Sequence, residues 1–315
     1  MSGVAINKQT RAEGLLLVAA LLWGIAFVPQ KIAMDHIEPL AFNAWRFLLG
    51  GLLLIPVVYW MSGRREGQGS RDVIYSWRAC LPGGAVLGVW LFLGAALQQA
   101  GLLYTTAGRA GFITGFYLLL VPLMGLALGH RTNRGTWMGI AMAMVGLYLL
   151  SDLESEAQLV GDMMVFASAF VFAAQVLTAD FLVDRFDALR LSAIQFLVCG
   201  LLSAIASAFL EDAKLAHAAA AFWPIVYLVI FSTAIGFTFQ LLGQRDAHPS
   251  HATVILSLES VFALAAGWLF LNEYLNWVEL AGCGLMAAGM LISHFGNDHA
   301  VAEPAHGGVV PGEAE

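Results

Sequence analysis

Residues 254–270 read VILSLESVFALAAGWLF, apolar throughout except for Ser257, Glu259 and Ser260. The segment is long and greasy enough to sit in lipid, yet a carboxylate lies near its middle. A charged side chain at the centre of a bilayer costs about 2.5–3.5 kcal/mol on insertion scales. Glu259 therefore needs either a partner that holds it or a function that requires it.

The remainder of the chain supports the membrane reading. Of 315 residues, 59% are hydrophobic and 12% are charged, and the mean hydropathy is +0.77. Ordinary soluble domains carry about 25% charged residues. A soluble fold of this length could not hide so much apolar surface, so the composition predicts an all-α integral membrane protein. The net charge of −7 arises partly from Asp298, Glu303, Glu313 and Glu315 near the C-terminus. Residues 296–315 are expected to form a disordered, acidic cytoplasmic tail. Cys80, Cys199 and Cys283 are scattered, without metal-ligand spacing. They read as packing residues, with no disulfide framework, no metal and no cofactor.

Ten apolar runs have the length of a membrane-spanning helix: 14–34, 39–60, 79–102, 107–129, 136–151, 161–182, 188–210, 221–243, 250–271 and 275–295. The first is longer than the roughly 7–15-residue core of a signal peptide, so it is expected to be retained. With residues 1–13 placed in the cytoplasm, Lys8, Arg11, Arg64, Arg65, Arg71, Arg78, Arg131, Arg134, Arg185, Arg190 and Arg245 all fall inside. Lys214 alone falls in an outer loop, and Arg109 is expected to face the outer headgroups. This asymmetry places both termini in the cytoplasm and predicts residence in the cytoplasmic (inner) membrane. Trp60, Trp77 and Trp137 would mark one interface, and Trp223, Trp268 and Trp277 the other.

The two halves share patterns. Trp23, Phe27 and Gln30 lie on one helical face of the first span, and Ser168, Phe172 and Gln175 repeat that spacing in the sixth. Asn43, Arg46 and Gly50 in the second span are matched by Ser192, Gln195 and Cys199 in the seventh. Gln98 and Gln99 in the third are answered by Gln240 and Gln244 in the eighth. Five spans per half force the second half to enter the membrane from the opposite side. The expected architecture is ten transmembrane helices in two inverted five-helix repeats, with substrate bound between them near the midplane.

Three stretches carry a resemblance to a known family: LLWGIAFVPQKIAMDHIEPLAFNAWRFLLGG in the first hairpin, AGRAGFITGFYLLLVPLMGLALGHR followed by TWMGIAMAMVGLYLL, and QRDAHPSHATVILSLESVFALAAGWLFLNEYLNWVELAGCGLMAAGMLIS. Over residues 14–295 the chain resembles a ten-helix member of the drug/metabolite transporter superfamily, EamA type. The resemblance implies a first repeat at 14–151, an outer linker at 152–160 and a second repeat at 161–295. It also implies a central cavity lined by spans 1–4 and 6–9, with spans 5 and 10 as peripheral supports. The chain departs from the family where many relatives have Glu-Pro in place of Glu259-Ser260, and Gly-Glu-Arg in place of Asn272-Glu273-Tyr274. Without the proline, the ninth span should keep its hydrogen-bond ladder.

The polar residues at membrane depth form the candidate site. Glu259 is either a substrate-contacting, proton-coupling carboxylate or a structural acid pinning two helices. Arg46 stays charged at any accessible pH, so it is either an anchor for an anionic group or a buried link to carbonyls. Trp23, Gln30, Trp90, Gln98, Gln99, Tyr117, Gln175, Gln240 and Gln244 complete the substrate-binding set. Any one glutamine could be interhelical glue; as a set on repeat-matched faces they predict a wet pocket. His251 reads as an interfacial histidine. Gly135, Gly139, Gly282, Gly284 and Gly289 permit close helix contacts, within the chain first and between copies second, so a monomer or weak homodimer is expected.

No nucleotide-binding loop, nucleophile elbow or metalloprotease motif occurs. The predicted function is a secondary transporter of a small organic metabolite, with amino acids or related amphipathic compounds implied by the resemblance. Its partners are that small molecule and the lipid bilayer, with no nucleic acid and no catalytic residue. The rival readings are a membrane enzyme acting on a lipid or isoprenoid, and a non-transporting sensor or scaffold.

Overall fold

The computed structural model describes residues 8–65, 76–126, 134–150, 155–183, 185–212, 215–247 and 249–301. Among these residues the protein is helical, with no β-strand. The helices are α1 (Lys8–Ala33), α2 (Pro39–Arg65), α3 (Trp77–Gly101), α4 (Ala107–Gly115), α5 (Tyr117–Gly125), α6 (Arg134–Leu150), α7 (Glu156–Val183), α8 (Ala188–Leu210), α9 (Leu215–Ala220), α10 (Phe222–Tyr227), α11 (Phe237–Asp246), α12 (Pro249–Leu271) and α13 (Trp277–Val301). A π-helical segment, Leu228–Gly236, joins α10 to α11. Among the described residues, seven stretches are long and apolar enough to cross a membrane, α4 with α5 and α10 with α11 each counting as one. Arg134–Leu150, Ile255–Leu271 and Trp277–Ile292 are shorter apolar helices.

Local chemistry sets the helix ends. Pro39 and Pro249 occupy the first helical positions of α2 and α12, where a missing N–H leaves no bond unmade. Thr106 caps α4 by accepting from Arg109 N, and Asp187 caps α8 by accepting from Arg190 N. Asn272, at φ 53°, ends α12 in the left-handed region, which asparagine tolerates better than most side chains.

Four expectations are corrected in detail. The fourth span divides into α4 and α5 because Phe116 N bonds the tighter i−3 carbonyl of Ile113. The eighth span is broken by the π-helical segment. The first helix begins at Lys8, inside the expected N-terminal segment, and the last runs to Val301, inside the expected tail; neither end meets a proline that would stop it. Residues 302–315, Arg71, Arg131 and Lys214 lie outside the described residues, as does the side chain of His251. The ninth span is one continuous α-helix through Glu259-Ser260, as the missing proline predicts.

The bundle is turned inside out relative to a soluble protein. Large apolar side chains face outward, among them Leu52, Tyr148, Phe209 and Trp268, while Arg46, Gln99, Arg109, Asp162 and Gln195 are buried. Helix α1 packs on α12, α2 on α8, α3 on α7 and α8, α4 on α7 and α12, and α5 on α7; α1 also packs on the π-helical segment and α11. Helices α6 and α13 pair with each other. Their approach needs bare backbone: a Cβ on Gly146 would sit 2.6 Å from Gly282 O, and one on Gly289 would sit 2.5 Å from Gly139 O. The three cysteines are buried and unbridged.

Candidate substrate cavity

Inside the bundle lies a cavity of about 670 Å³, counting its mouth. Its wall draws on α1 (Trp23, Ala26, Phe27, Gln30), α2 (Arg46, Phe47), α3 (Leu91, Ala95, Gln98), α4 and α5 (Thr114, Tyr117), α7 (Phe172, Gln175, Val176), the π-helical segment and α11 (Ser232, Phe237, Gln240), and α12 (Glu259).

Eight of the eleven residues singled out from the sequence meet on this wall: Trp23, Gln30, Arg46, Gln98, Tyr117, Gln175, Gln240 and Glu259. Trp90, Gln99 and Gln244 do not. Gln99 is one residue on from Gln98, and successive helical residues point about 100° apart. Its amide instead donates to Gln30 O at 3.2 Å, tying α3 to α1. Trp90 stands in the same relation to Leu91, which does line the cavity. Gln244 lies one turn beyond Gln240, past the end of the pocket. Helix α8 supplies no wall residue; Gln195 reaches the cavity only through Gln175, whose Nε2 donates to Gln195 Oε1 at 3.2 Å.

Arg46 dominates the polar chemistry. Its Nη1 donates to Gln30 Oε1 at 2.9 Å, its Nη2 to Ser232 Oγ at 3.0 Å and its Nε to Thr233 Oγ1 at 3.3 Å. The guanidinium also lies 4.8 Å from the centroid of the Phe47 ring. Among the described residues no carboxylate pairs with it. The two hydroxyls come from consecutive residues of the π-helical segment, and π-turns inside α-helices cluster at functional sites. The same segment holds Trp23, whose Nε1 donates to Ser232 O at 3.0 Å while its ring meets Phe237 edge-on at 4.8 Å.

Glu259 is buried, at 7% exposure, and makes no hydrogen bond or ion pair with any described residue. Gln240 is likewise without a partner among the described residues, whereas Gln98 Nε2 donates to Thr114 Oγ1 at 2.9 Å. Aromatic rings from Trp23, Phe27, Phe47, Tyr117, Phe172 and Phe237 complete the wall. The sequence had marked Phe27 and Phe172 only as repeat-matched neighbours of the glutamines.

One end of the bundle carries a set of polar ties that the sequence did not reveal. Arg109, expected at the headgroups, is 1% exposed. It pairs with Asp162 and with Glu279, each at 2.6 Å. The Gln158 amide, oriented with its oxygen inward, accepts from Arg109 Nε at 2.9 Å. Glu273 accepts from Ala107 N and Gly108 N, both at 2.8 Å, at the start of α4. Glu211 accepts from Leu40 N and Ala41 N, both at 2.8 Å, at the start of α2. Lys31 Nζ donates to Leu102 O at 2.6 Å. Carboxylates on exposed helix N–H groups are favourable both as hydrogen bonds and against the helix dipole.

A cavity lined by convergent polar side chains inside an apolar helical bundle is the site that a membrane carrier needs. The EamA-like transporter family model matches residues 10–152 and again residues 159–295. The chain belongs to the EamA-like transporter family. It is therefore a multi-pass membrane transporter rather than an enzyme. An "uncharacterized transporter" of Archaeoglobus fulgidus is 29% identical over 91% of this chain and 89% of its own length. A "probable amino-acid metabolite efflux pump" of Salmonella typhimurium is 25% identical over 91% of this chain and 96% of its own. A solved crystal structure, 17% identical, shares the fold with a TM-score of 0.64 over 90% of this chain and 97% of that one.

Proposed function

We propose that this transporter moves a small organic metabolite across the cytoplasmic membrane by alternating access, through ten spans arranged as two inverted repeats, residues 14–151 and 161–295. Both termini would face the cytoplasm. The single observation that carries the reading is the cavity wall, which draws convergent polar side chains from both halves: Gln30, Arg46 and Gln98 from the first, Gln175, Gln240 and Glu259 from the second.

Helix packing supports the repeat. Exchanging each helix for its counterpart in the other half turns α1 on α12 into α7 on α4 and α5, and α3 on α7 into the π-helical segment and α11 on α1; both members of each pair occur. The pairs α2–α8 and α6–α13 map onto themselves. The side chains follow the same exchange. Gln30 bonds Arg46 in one half, and the matched Gln175 bonds the matched Gln195 in the other.

The efflux-pump names of two relatives, from Salmonella typhimurium and Escherichia coli, make amino acids and related amphipathic metabolites the first substrates to test. Glu259 is the candidate coupling group. It is the carboxylate of the wall, faced there by Tyr117 and Arg46, and it is not held in an ion pair among the described residues. The deciding experiment is flux into proteoliposomes loaded against a mixture of labelled metabolites, with and without a pH gradient. Substrate accumulation or exchange supports the carrier reading, and its complete absence overturns it. For coupling, Glu259→Gln should retain exchange at saturating substrate while losing acceleration by the pH gradient. Undiminished pH-driven uptake by that variant would rule the coupling role out.

A further inference from the structure

We propose that the cavity is built for a zwitterion, with the substrate's carboxylate on Arg46, its ammonium on Glu259, and an apolar or aromatic body against Trp23, Phe27, Phe172 and Phe237. The inference rests on the carrier reading of this cavity and adds the charge pattern of the cargo.

Hydrogen-bond arithmetic carries the first half. A guanidinium has five N–H groups. In Arg46 three are used, one each by Thr233, Gln30 and Ser232, and all three acceptors are neutral. The two that remain are divided between the terminal nitrogens, one on each. Two parallel N–H groups are what a carboxylate accepts in a bidentate pair. A buried guanidinium held only by neutral oxygens is oriented but not neutralised, so an anion gains both the spare donors and the uncompensated charge.

Glu259 carries the second half. Its carboxylate reaches the same cavity and bonds neither Arg46 nor any other described residue. Two opposite charges that would attract if they met are instead kept apart by the wall. The backbone of α12 at Glu259 lies against Gly24 of α1, where a Cβ would come 2.7 Å from Glu259 O. Gln30, which orients Arg46, is six residues further along α1, an axial rise of about 9 Å. Because both groups line one cavity, two charge-assisted bonds, of about 2.8 Å each, would hold the two charged ends of one compact molecule. The cavity as a whole is charge-balanced, one fixed cation against one carboxylate. A bare amine would leave Arg46 unpaired, and a bare acid would leave Glu259 unpaired; either leaves a buried charge without its counter-charge. The unpartnered amide oxygen of Gln240 offers the ammonium a further acceptor.

The test uses matched trios that share a body and differ only in charge: phenylalanine, phenethylamine and 3-phenylpropionate, and leucine, isoamylamine and 4-methylvalerate. Thermal shift of the purified protein gives relative affinities, and counterflow in proteoliposomes gives transport. The zwitterion of at least one trio should bind about tenfold or more tightly than its amine or its acid. Arg46→Gln should weaken the zwitterion at least tenfold and erase its advantage over the amine. Glu259→Gln should erase its advantage over the acid. Arg46→Lys, which keeps the charge but not the fork, guards against a folding artefact and should fall between wild type and Arg46→Gln. In wild type, an amine or acid that equals its zwitterion in both trios overturns the inference, as do variants that leave the ranking unchanged. In either case flux of any cargo leaves the carrier reading intact, so the two failures are distinguishable. A protein that moves no metabolite at all overturns both.

Discussion

Arg109 Nη2 donates to Asp162 Oδ2 at 2.6 Å, and both side chains are shut away from solvent. Asp162 also accepts from Thr105 Oγ1 at 2.6 Å, so each charge is held from more than one direction. Removing one member of such a pair strands the other, typically at a cost of about 3–5 kcal/mol. Arg109→Met should therefore sharply reduce the folded fraction recovered in detergent. Arg109→Met combined with Asp162→Leu should restore much of it. Equal losses in the single and double variants would show that the pair is not the source of the effect.

The packing of α6 on α13 makes a paired prediction. A methyl group on Gly282 would meet Gly146 O at 2.6 Å, whereas one on Gly284 would meet nothing within 4 Å. Gly282→Ala should destabilise the protein by about 1–3 kcal/mol, read as a lower thermal midpoint. Gly284→Ala should stay within about 0.5 kcal/mol of wild type.

Gly236 stands against the indole of Trp23, where a Cβ would lie 2.7 Å from Nε1. Gly236→Ala should displace the indole and break its 3.0 Å bond to Ser232 O. Trp23→Phe removes the nitrogen in the way, so the double variant should be less damaged than the sum of the single effects. A double-mutant cycle on thermal stability measures that non-additivity. Additive losses would mean that the two residues do not press on one another.

The ties from Glu211 to α2 and from Glu273 to α4 lie at the same end of the bundle, each spanning from a second-half residue to a first-half helix. If that end parts during transport, weakening both ties should favour its opening. In Glu211→Gln/Glu273→Gln, a thiol placed at Ala95 on the cavity wall should react faster with a membrane-impermeant reagent added from that side. The native cysteines are buried, so the added thiol is the reporter. An unchanged labelling rate would show that neither carboxylate holds that end shut.

The helical pattern made the cavity legible where it depends on one face of one helix. Trp23 and Gln30 lie seven residues apart, two turns along α1, and both reach the wall. The same rule fails between neighbours, which is why Gln98 and Gln99 part company. Arg109 was misplaced because its partners lie 53 and 170 residues away in the chain. Hydropathy reports that such a residue is near a span's end, not whether two acids wait for it there. Ser232 was missed for a different reason. An apolar run with two hydroxyls looks the same whether its backbone pairs i to i+4 or i to i+5; here it takes the second winding, and both hydroxyls meet Arg46.

That winding makes the pocket depend on the number of residues in 228–236 as well as on their identity. Each residue of an α-helix adds about 100° of rotation and about 1.5 Å of rise. Deleting one residue from the π-helical segment with its winding kept would leave the hydropathy profile almost untouched. Everything that follows would still turn by about a quarter of a circle. Gln240 would leave the wall, and Phe237 would lose its edge contacts with Trp23 and Phe196. A one-residue gap placed here when two related chains are aligned would thus pair cavity residues with lipid-facing ones, and two carriers of nearly identical composition could present different cargo sites.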